Sequence, residues 1–134
     1  MKVINLWGGP GSGKSTTAAG LFAHMKLNQI KVELVTEFAK DLTYENNFIT
    51  LSNQLLVTGQ QDHRLRRLEG HVDYVITDSP LPLGTMYASG VFKNAWFHDC
   101  VMGAYNSYDN INFFIRRVKP VSYTHLTLPT ILLV

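Results

Sequence analysis

Gly8-Gly9-Pro10-Gly11-Ser12-Gly13-Lys14-Ser15 fits the pattern G-x-x-x-x-G-K-[ST], a loop that cradles phosphates between a strand and a helix. Two glycines, a lysine and a hydroxyl residue at that spacing arise by chance in roughly one of several hundred chains of this length. The flanks agree with the motif: Val3-Ile4-Asn5-Leu6-Trp7 is a short apolar run of strand type, and Thr16 to Leu27 reads as a helix. The spacing therefore predicts a phosphate-binding turn rather than a plain glycine turn. The ligand such a loop implies is ATP or another nucleoside triphosphate, with Mg²⁺.

Each residue of the loop has a physical task. Gly8, Gly11 and Gly13 allow backbone angles that a side chain forbids and let the main chain approach the phosphates. Pro10 has no N–H and stiffens the turn, so the donors are expected from Gly11, Ser12, Gly13, Lys14, Ser15 and Thr16, which form an anion-binding nest. A helix starting near Lys14 adds the positive end of its dipole. Lys14 is expected on the β- and γ-phosphates, and the Ser15 hydroxyl on Mg²⁺.

The totals bound the rest. A chain of 134 residues is one domain, small for a complete nucleotide kinase. Apolar residues make up 46% and charged residues 16%, as in a soluble globular protein. A formal charge of +2 is too mild to argue for nucleic acid or a membrane surface as partner. Cys100 stands alone, so no internal disulfide forms, which agrees with a cytoplasmic location. The first apolar run, Val3 to Trp7, is too short for a signal peptide.

Further strands are expected at 31–35, 73–77 and 111–115, with helical material at 38–45, 52–69, 83–88 and 95–105. Ser52 is the expected N-cap of the long helix, with Leu55, Leu56, Leu65 and Leu68 on its apolar side. Strands alternating with helices imply an α/β fold in three layers, a parallel sheet covered on both faces. Ligands then bind beyond the carboxyl ends of the strands. The loop, Glu37, Asp78 and Arg116 each follow a predicted strand directly, so they converge on one edge of the sheet.

Asp78 is the second acidic element, expected to hold Mg²⁺ or orient an acceptor hydroxyl; capping the next turn is its structural alternative. Many hydrolytic motors place a Glu after it to activate water, and this chain has Ser79, which favours transfer to a bound acceptor. Glu37 sits where a carboxylate can accept the proton of an acceptor hydroxyl, or equally where a surface Glu opens a short helix. Gln60 and Gln61 reach towards acceptor or lie on a solvated face. Arg116 and Arg117 follow the fourth strand, where guanidinium groups can neutralise charge on a transferring phosphoryl group, or equally stand as simple solvated charge. His63-Arg64-Leu65-Arg66-Arg67 reads as a solvated basic face. The histidines show no zinc-ligand spacing with Cys100, and His98-Asp99-Cys100 reads as an ordinary helical segment.

On residues 4–15, on Val35-Thr36-Glu37-Phe38-Ala39-Lys40 and on Thr77-Asp78-Ser79-Pro80, the chain resembles phage and bacterial P-loop ATPases of the AAA-like type. These are related to the nicotinamide riboside kinase domain and, more distantly, to nucleoside and nucleotide kinases. The resemblance covers about residues 1–120. It implies a sheet ordered 2-3-1-4-5, ATP with Mg²⁺, and an arginine-bearing lid after the fourth strand. The end departs from that pattern: Val121 to Thr130 resembles translated sequencing-adapter read-through. On that reading 121–134 is a non-native tail, the domain is 1–120, and the lid and last strand are missing, leaving the order 2-3-1-4. A genuine C-terminal strand at Ile131-Leu132-Leu133-Val134 is the alternative. The expected function is ATP-dependent phosphoryl transfer to a small-molecule acceptor. The alternatives are an ATPase acting on a partner protein or DNA, and a nucleotide-binding module without catalysis.

Overall fold

Strand β1 (Lys2–Trp7) runs into the glycine-rich turn, and helix α1 (Lys14–Leu27) leaves it. The computed structural model describes residues 1–116 together with the backbone of 130–133. After α1 come β2 (Val32–Val35), α2 (Phe38–Tyr44), α3 (Phe48–Ser52), α4 (Gln54–Arg66) and β3 (Tyr74–Thr77). Then follow α5 (Leu83–Met86), a 3₁₀ turn at Gly90–Phe92, α6 (Ala95–Asn106), β4 (Asp109–Arg116) and β5 (Thr130–Leu133).

The strands form one sheet in the order β2-β3-β1-β4-β5. The first four are parallel, with β1 registered against both neighbours: Asn5 lies opposite Thr77 of β3 and Asn112 of β4. This is the expected α/β arrangement, 2-3-1-4, with all four carboxyl ends at one edge. β5 is antiparallel, pairing Thr130 with Arg116 and Leu133 with Phe113. Arg117, Lys119 and residues 121–129 of the expected tail lie outside the described residues. Among the described residues no helix is long and apolar enough to cross a membrane.

Alternation along the strands explains why their sequences read as continuous apolar runs. Val3 and Val75 join Leu65, Phe97 and Val101 in one core layer beneath α4 and α6. Ile4, Leu6 and Ile76 join Ala18 and Met25 in the other, beneath α1. Ala18, Leu21, Phe22 and Met25 keep the i, i+3, i+4, i+7 spacing of one helix face. Polar fastening adds to the α6 side. Buried Asn5 donates from Nδ2 to Asn110 Oδ1 at 3.0 Å, and Asn110 donates on to the Tyr105 carbonyl at 2.8 Å. Asn112 Oδ1 accepts from both Trp7 Nε1 and Tyr105 Oη at 2.9 Å.

The long helix differs from expectation at its start and on its face. Residues 48–52 form the separate helix α3, and Asn53, with φ −87° and ψ 84°, breaks the chain between α3 and α4. Asn53, not Ser52, is therefore the N-cap, its Oδ1 accepting from Leu56 N. The buried side of α4 is Gln54, Val57, Gln61 and Leu65, whereas Leu55 is 50% exposed and Leu56 41%. Two glutamines stand where leucines were expected because their amides find partners inside the fold. The helical stretch expected at 83–88 ends at Met86.

Leu6 is fully buried in the layer under α1 and leads directly into the loop. Leu6→Ala should lower unfolding stability by about 2–5 kcal/mol, measured by urea denaturation at constant m-value.

Candidate functional site

The glycine-rich turn is shaped by two left-handed residues, Gly11 at φ 74° and Gly13 at φ 93°. Gly13 is the N-cap of α1, so the helix opens at Lys14, where the loop motif places it. Ser12 N donates to the Gly9 carbonyl at 3.1 Å, closing the turn. Gly8 is required by contact rather than by angle. A Cβ there would lie 2.5 Å from Ser12 Oγ and 3.2 Å from the Ile115 carbonyl oxygen at the end of β4.

The expected metal pair meets across the sheet. Ser15, in the first turn of α1, donates from Oγ to Asp78 Oδ2 at 2.6 Å, although 63 residues separate them. β1 and β3 are neighbours in register, so the start of α1, reached through the turn after β1, lies beside the residue just past β3. Asp78 Oδ1 and Ser12 Oγ are buried side-chain oxygens with no hydrogen-bond partner among the described residues. A hydroxyl and a carboxylate in contact, with a second carboxylate oxygen unpaired, match the few hard oxygen ligands Mg²⁺ takes from a protein beside phosphates and water. Among the described residues no group of three or more His, Cys, Asp or Glu could hold a metal.

Glu37 continues β2 as the N-cap residue of α2, in extended geometry at φ −77° and ψ 121°. Its side chain makes no cap hydrogen bond; instead Glu37 lines a cavity of about 470 Å³ that Lys14 also lines. Ser79, Pro80 and Leu81 form another part of the wall, and residues of α2, α3, α4 and α5 with Tyr87 and Ser89 supply the remainder. The segment carrying Glu37 is braced from α4. Gln61, 5% exposed, accepts from Phe38 N at 2.8 Å through Oε1 and donates to the Thr36 carbonyl at 3.1 Å through Nε2. Its amide thus pairs with the backbone on either side of Glu37 as a neighbouring strand would. Arg64, one turn on, donates to the same Thr36 carbonyl at 3.2 Å and to Asp41 Oδ2 at 2.6 Å, with its guanidinium 5.2 Å from the Phe38 ring centre.

The brace decides between the readings of these residues. Gln61 is not solvated: it is buried, holds the backbone around Glu37 and lines the cavity, whereas Gln60 is exposed. In the basic cluster at 63–67, His63, Arg66 and Arg67 are exposed as expected, and Arg64 departs from that expectation, part-buried and held by Asp41. Exposed Arg66 grips Asp62 through Nε at 2.9 Å and Nη2 at 3.0 Å. Tyr108 donates to the same Asp62 carboxylate at 2.6 Å and lies under the Arg66 guanidinium, 4.7 Å from the ring centre. Burial first, then that hydrogen bond, push the Tyr108 phenol well above its ordinary pKa. Arg66 is likewise raised, chiefly by its hydrogen bond to Asp62.

Arg116 is exposed at the end of β4, beside the loop through its neighbour Ile115 but outside the lining of the cavity. Thr16 is exposed in the first turn of α1. His98, Asp99 and Cys100 are all exposed on α6.

Two substitutions test the geometry. Lys14→Ala removes a charged contact worth about 1.5–3 kcal/mol, so Mg·ATP affinity by calorimetry should fall about 10- to 100-fold with the circular dichroism unchanged. Gln61→Leu strands the Phe38 N–H and the Thr36 carbonyl and should cost about 1–3 kcal/mol of stability in denaturant titrations.

The arrangement of strand, glycine turn, helix and facing aspartate agrees with comparison against known families. A family model described as an AAA domain matches residues 3–126. No curated protein and no solved structure matches the chain. The match takes in nearly the whole sequence, including every element from β1 to β4. The chain belongs to the AAA domain family and is a P-loop nucleotide-binding protein.

Proposed function

We propose that the protein is an ATP-dependent phosphotransferase that moves the γ-phosphoryl group of ATP to a hydroxyl of a small molecule. One observation carries this reading: the cavity that opens beside Lys14 has Glu37 on its wall. A motor that only hydrolyses ATP has no need of a pre-formed chamber next to its phosphate lysine. A phosphotransferase needs one, with a carboxylate available to its acceptor. Ser79 after Asp78, where a water-activating Glu would stand, points the same way.

The roles follow from chemistry and position. The N–H groups of Gly11 to Thr16 and the positive end of α1 would bind the phosphates. Lys14 would follow the charge on the group in flight. Bound by Ser15 and Asp78, Mg²⁺ would supply charge neutralisation on the β- and γ-oxygens. The acceptor oxygen attacks the γ-phosphorus as the bond to ADP breaks, and its proton passes to the Glu37 carboxylate. Arg116, beside the loop on the β4 side, would meet the phosphates away from the acceptor. Most of the rate would come from positioning in the brace-supported wall and from electrostatics.

The family match also supports a second reading, ATP hydrolysis coupled to a partner protein or nucleic acid. An acceptor screen separates the two. Phosphotransfer predicts ADP formation that depends on one class of small hydroxyl compound and yields its phosphate ester. ADP release that no acceptor alters, in the full set tested, would falsify it. Glu37→Gln should lower kcat about 10²- to 10⁴-fold, as expected for loss of a general base, while Mg·ATP affinity stays unchanged by calorimetry.

A further inference from the structure

Two glutamines share the buried stripe of α4, and their amides are used differently. Gln61 engages both ends with the backbone around Glu37, accepting through Oε1 and donating through Nε2. Gln54, 8% exposed, donates from Nε2 to the Leu51 carbonyl at 2.8 Å. A carbonyl only accepts, so that bond fixes which end of the amide faces α3 and turns Oε1 away from it. Among the described residues Oε1 takes no hydrogen bond, and the buried side-chain oxygens without a partner are Ser12 Oγ and Asp78 Oδ1, not this one. The small open part of Gln54 therefore includes this oxygen, and the space that Gln54 lines is the cavity shared with Lys14 and Glu37.

A second polar group stands one turn on. Thr58 follows Gln54 at i+4, on the same face of α4, and lines the same cavity. Its hydroxyl takes no hydrogen bond among the described residues. Gly84 of α5 faces it: a Cβ there would lie 3.1 Å from Thr58 Oγ1, so glycine keeps space beside that hydroxyl. Buried polar groups are normally matched, and a largely buried amide oxygen left to water is one that a ligand entering the cavity can complete. The helix sets the spacing. Thr58 and Gln54 precede Gln61 by one and two turns, roughly 4.5 and 10.5 Å along the axis from the amide that flanks Glu37. Glu37 and Gln54 thus offer the cavity two hydrogen-bond acceptors well apart.

We infer that Gln54, with Thr58 beside it, is a second point of recognition for the acceptor: Gln54 Oε1 accepts a hydrogen bond from an O–H or N–H remote from the hydroxyl that reacts at Glu37. The inference rests on the phosphotransfer reading for its activity readout, and a binding readout tests it alone. The probes are butane-1,4-diol, hexane-1,6-diol, octane-1,8-diol and benzene-1,4-dimethanol, each against its monomethyl ether, which keeps one hydroxyl and lacks the second donor. With the full chain and Mg·ATP, at least one diol should exceed its ether in kcat/KM about 3- to 10-fold, the range of one hydrogen bond between uncharged groups. Gln54→Met keeps the length of the side chain and removes the oxygen, so the preference should disappear while Mg·ATP affinity by calorimetry is unchanged. Thr58→Val loses no hydrogen bond among the described residues, so it should fold as the native chain does and still lower the preference. The side-chain amide NMR resonance of Gln54, assigned by its loss in Gln54→Met, should shift on addition of that diol and hold on addition of its ether. Where hydroxyl compounds stimulate turnover, a preference absent from the native protein, or intact in both variants, overturns the inference and leaves phosphotransfer standing. An amide resonance indifferent to every diol also overturns it. ADP release that no probe or other hydroxyl compound alters brings down phosphotransfer itself, and the amide resonance then decides whether Gln54 binds a donor.

Discussion

The hydrogen bond from Ser15 to Asp78 joins the first turn of α1 to the residue just past β3, across 63 positions of chain. It depends on β1 lying between β3 and β4, which in turn depends on right-handed crossovers that put α1 on one face and α4 and α6 on the other. Gly8 enforces the same closeness from the β4 side, because the space beside it is filled by Ser12 and the Ile115 carbonyl. The phosphate loop is thus wedged between its two neighbours rather than held by its own turn alone. Its shape persists as long as the central three strands keep their register.

The opposite wall is built on a different principle. Where the loop side relies on tight backbone contact, the Glu37 side relies on side-chain amides and a guanidinium that substitute for a missing strand partner. Gln61 reads both backbone groups flanking Glu37, and Arg64 secures the carbonyl a second time. Burying an amide is favourable only when its donors and acceptors are matched, so the brace specifies one backbone path for residues 36–38. The α6 side repeats the device with Asn5, Asn110 and Asn112. Polar matching, as much as apolar packing, fixes how the helices sit on this sheet.

These two walls differ in how far the residues announced them. The loop, the four parallel strands and the placement of Glu37, Asp78 and Arg116 at strand ends were legible, since glycine spacing and apolar runs encode them locally. The break at Asn53 was hidden because Ser52 is an equally good cap by composition, and only the backbone decides between them. The brace was hidden for a deeper reason. A glutamine between polar neighbours looks solvated, and its burial is decided by partners at Thr36 and Phe38, some 25 positions away. The leucine pair at 55 and 56 misled in the reverse sense, being apolar yet left largely in water. The fifth strand runs antiparallel, which no apolar count at its residues distinguishes from the parallel case.

Trp7 occupies a telling position, the last residue of β1 and the one before Gly8. Its indole is fixed by Asn112, set edge-on to Tyr105 at 6.3 Å and tilted against the half-exposed Phe114 at the same distance. Any rearrangement of the glycine turn pulls on the backbone of this rigid fluorophore. The protein therefore carries an intrinsic optical gauge of loop occupancy, while Trp96, seated in α6 against Phe92 and Phe97, supplies the emission least tied to that loop.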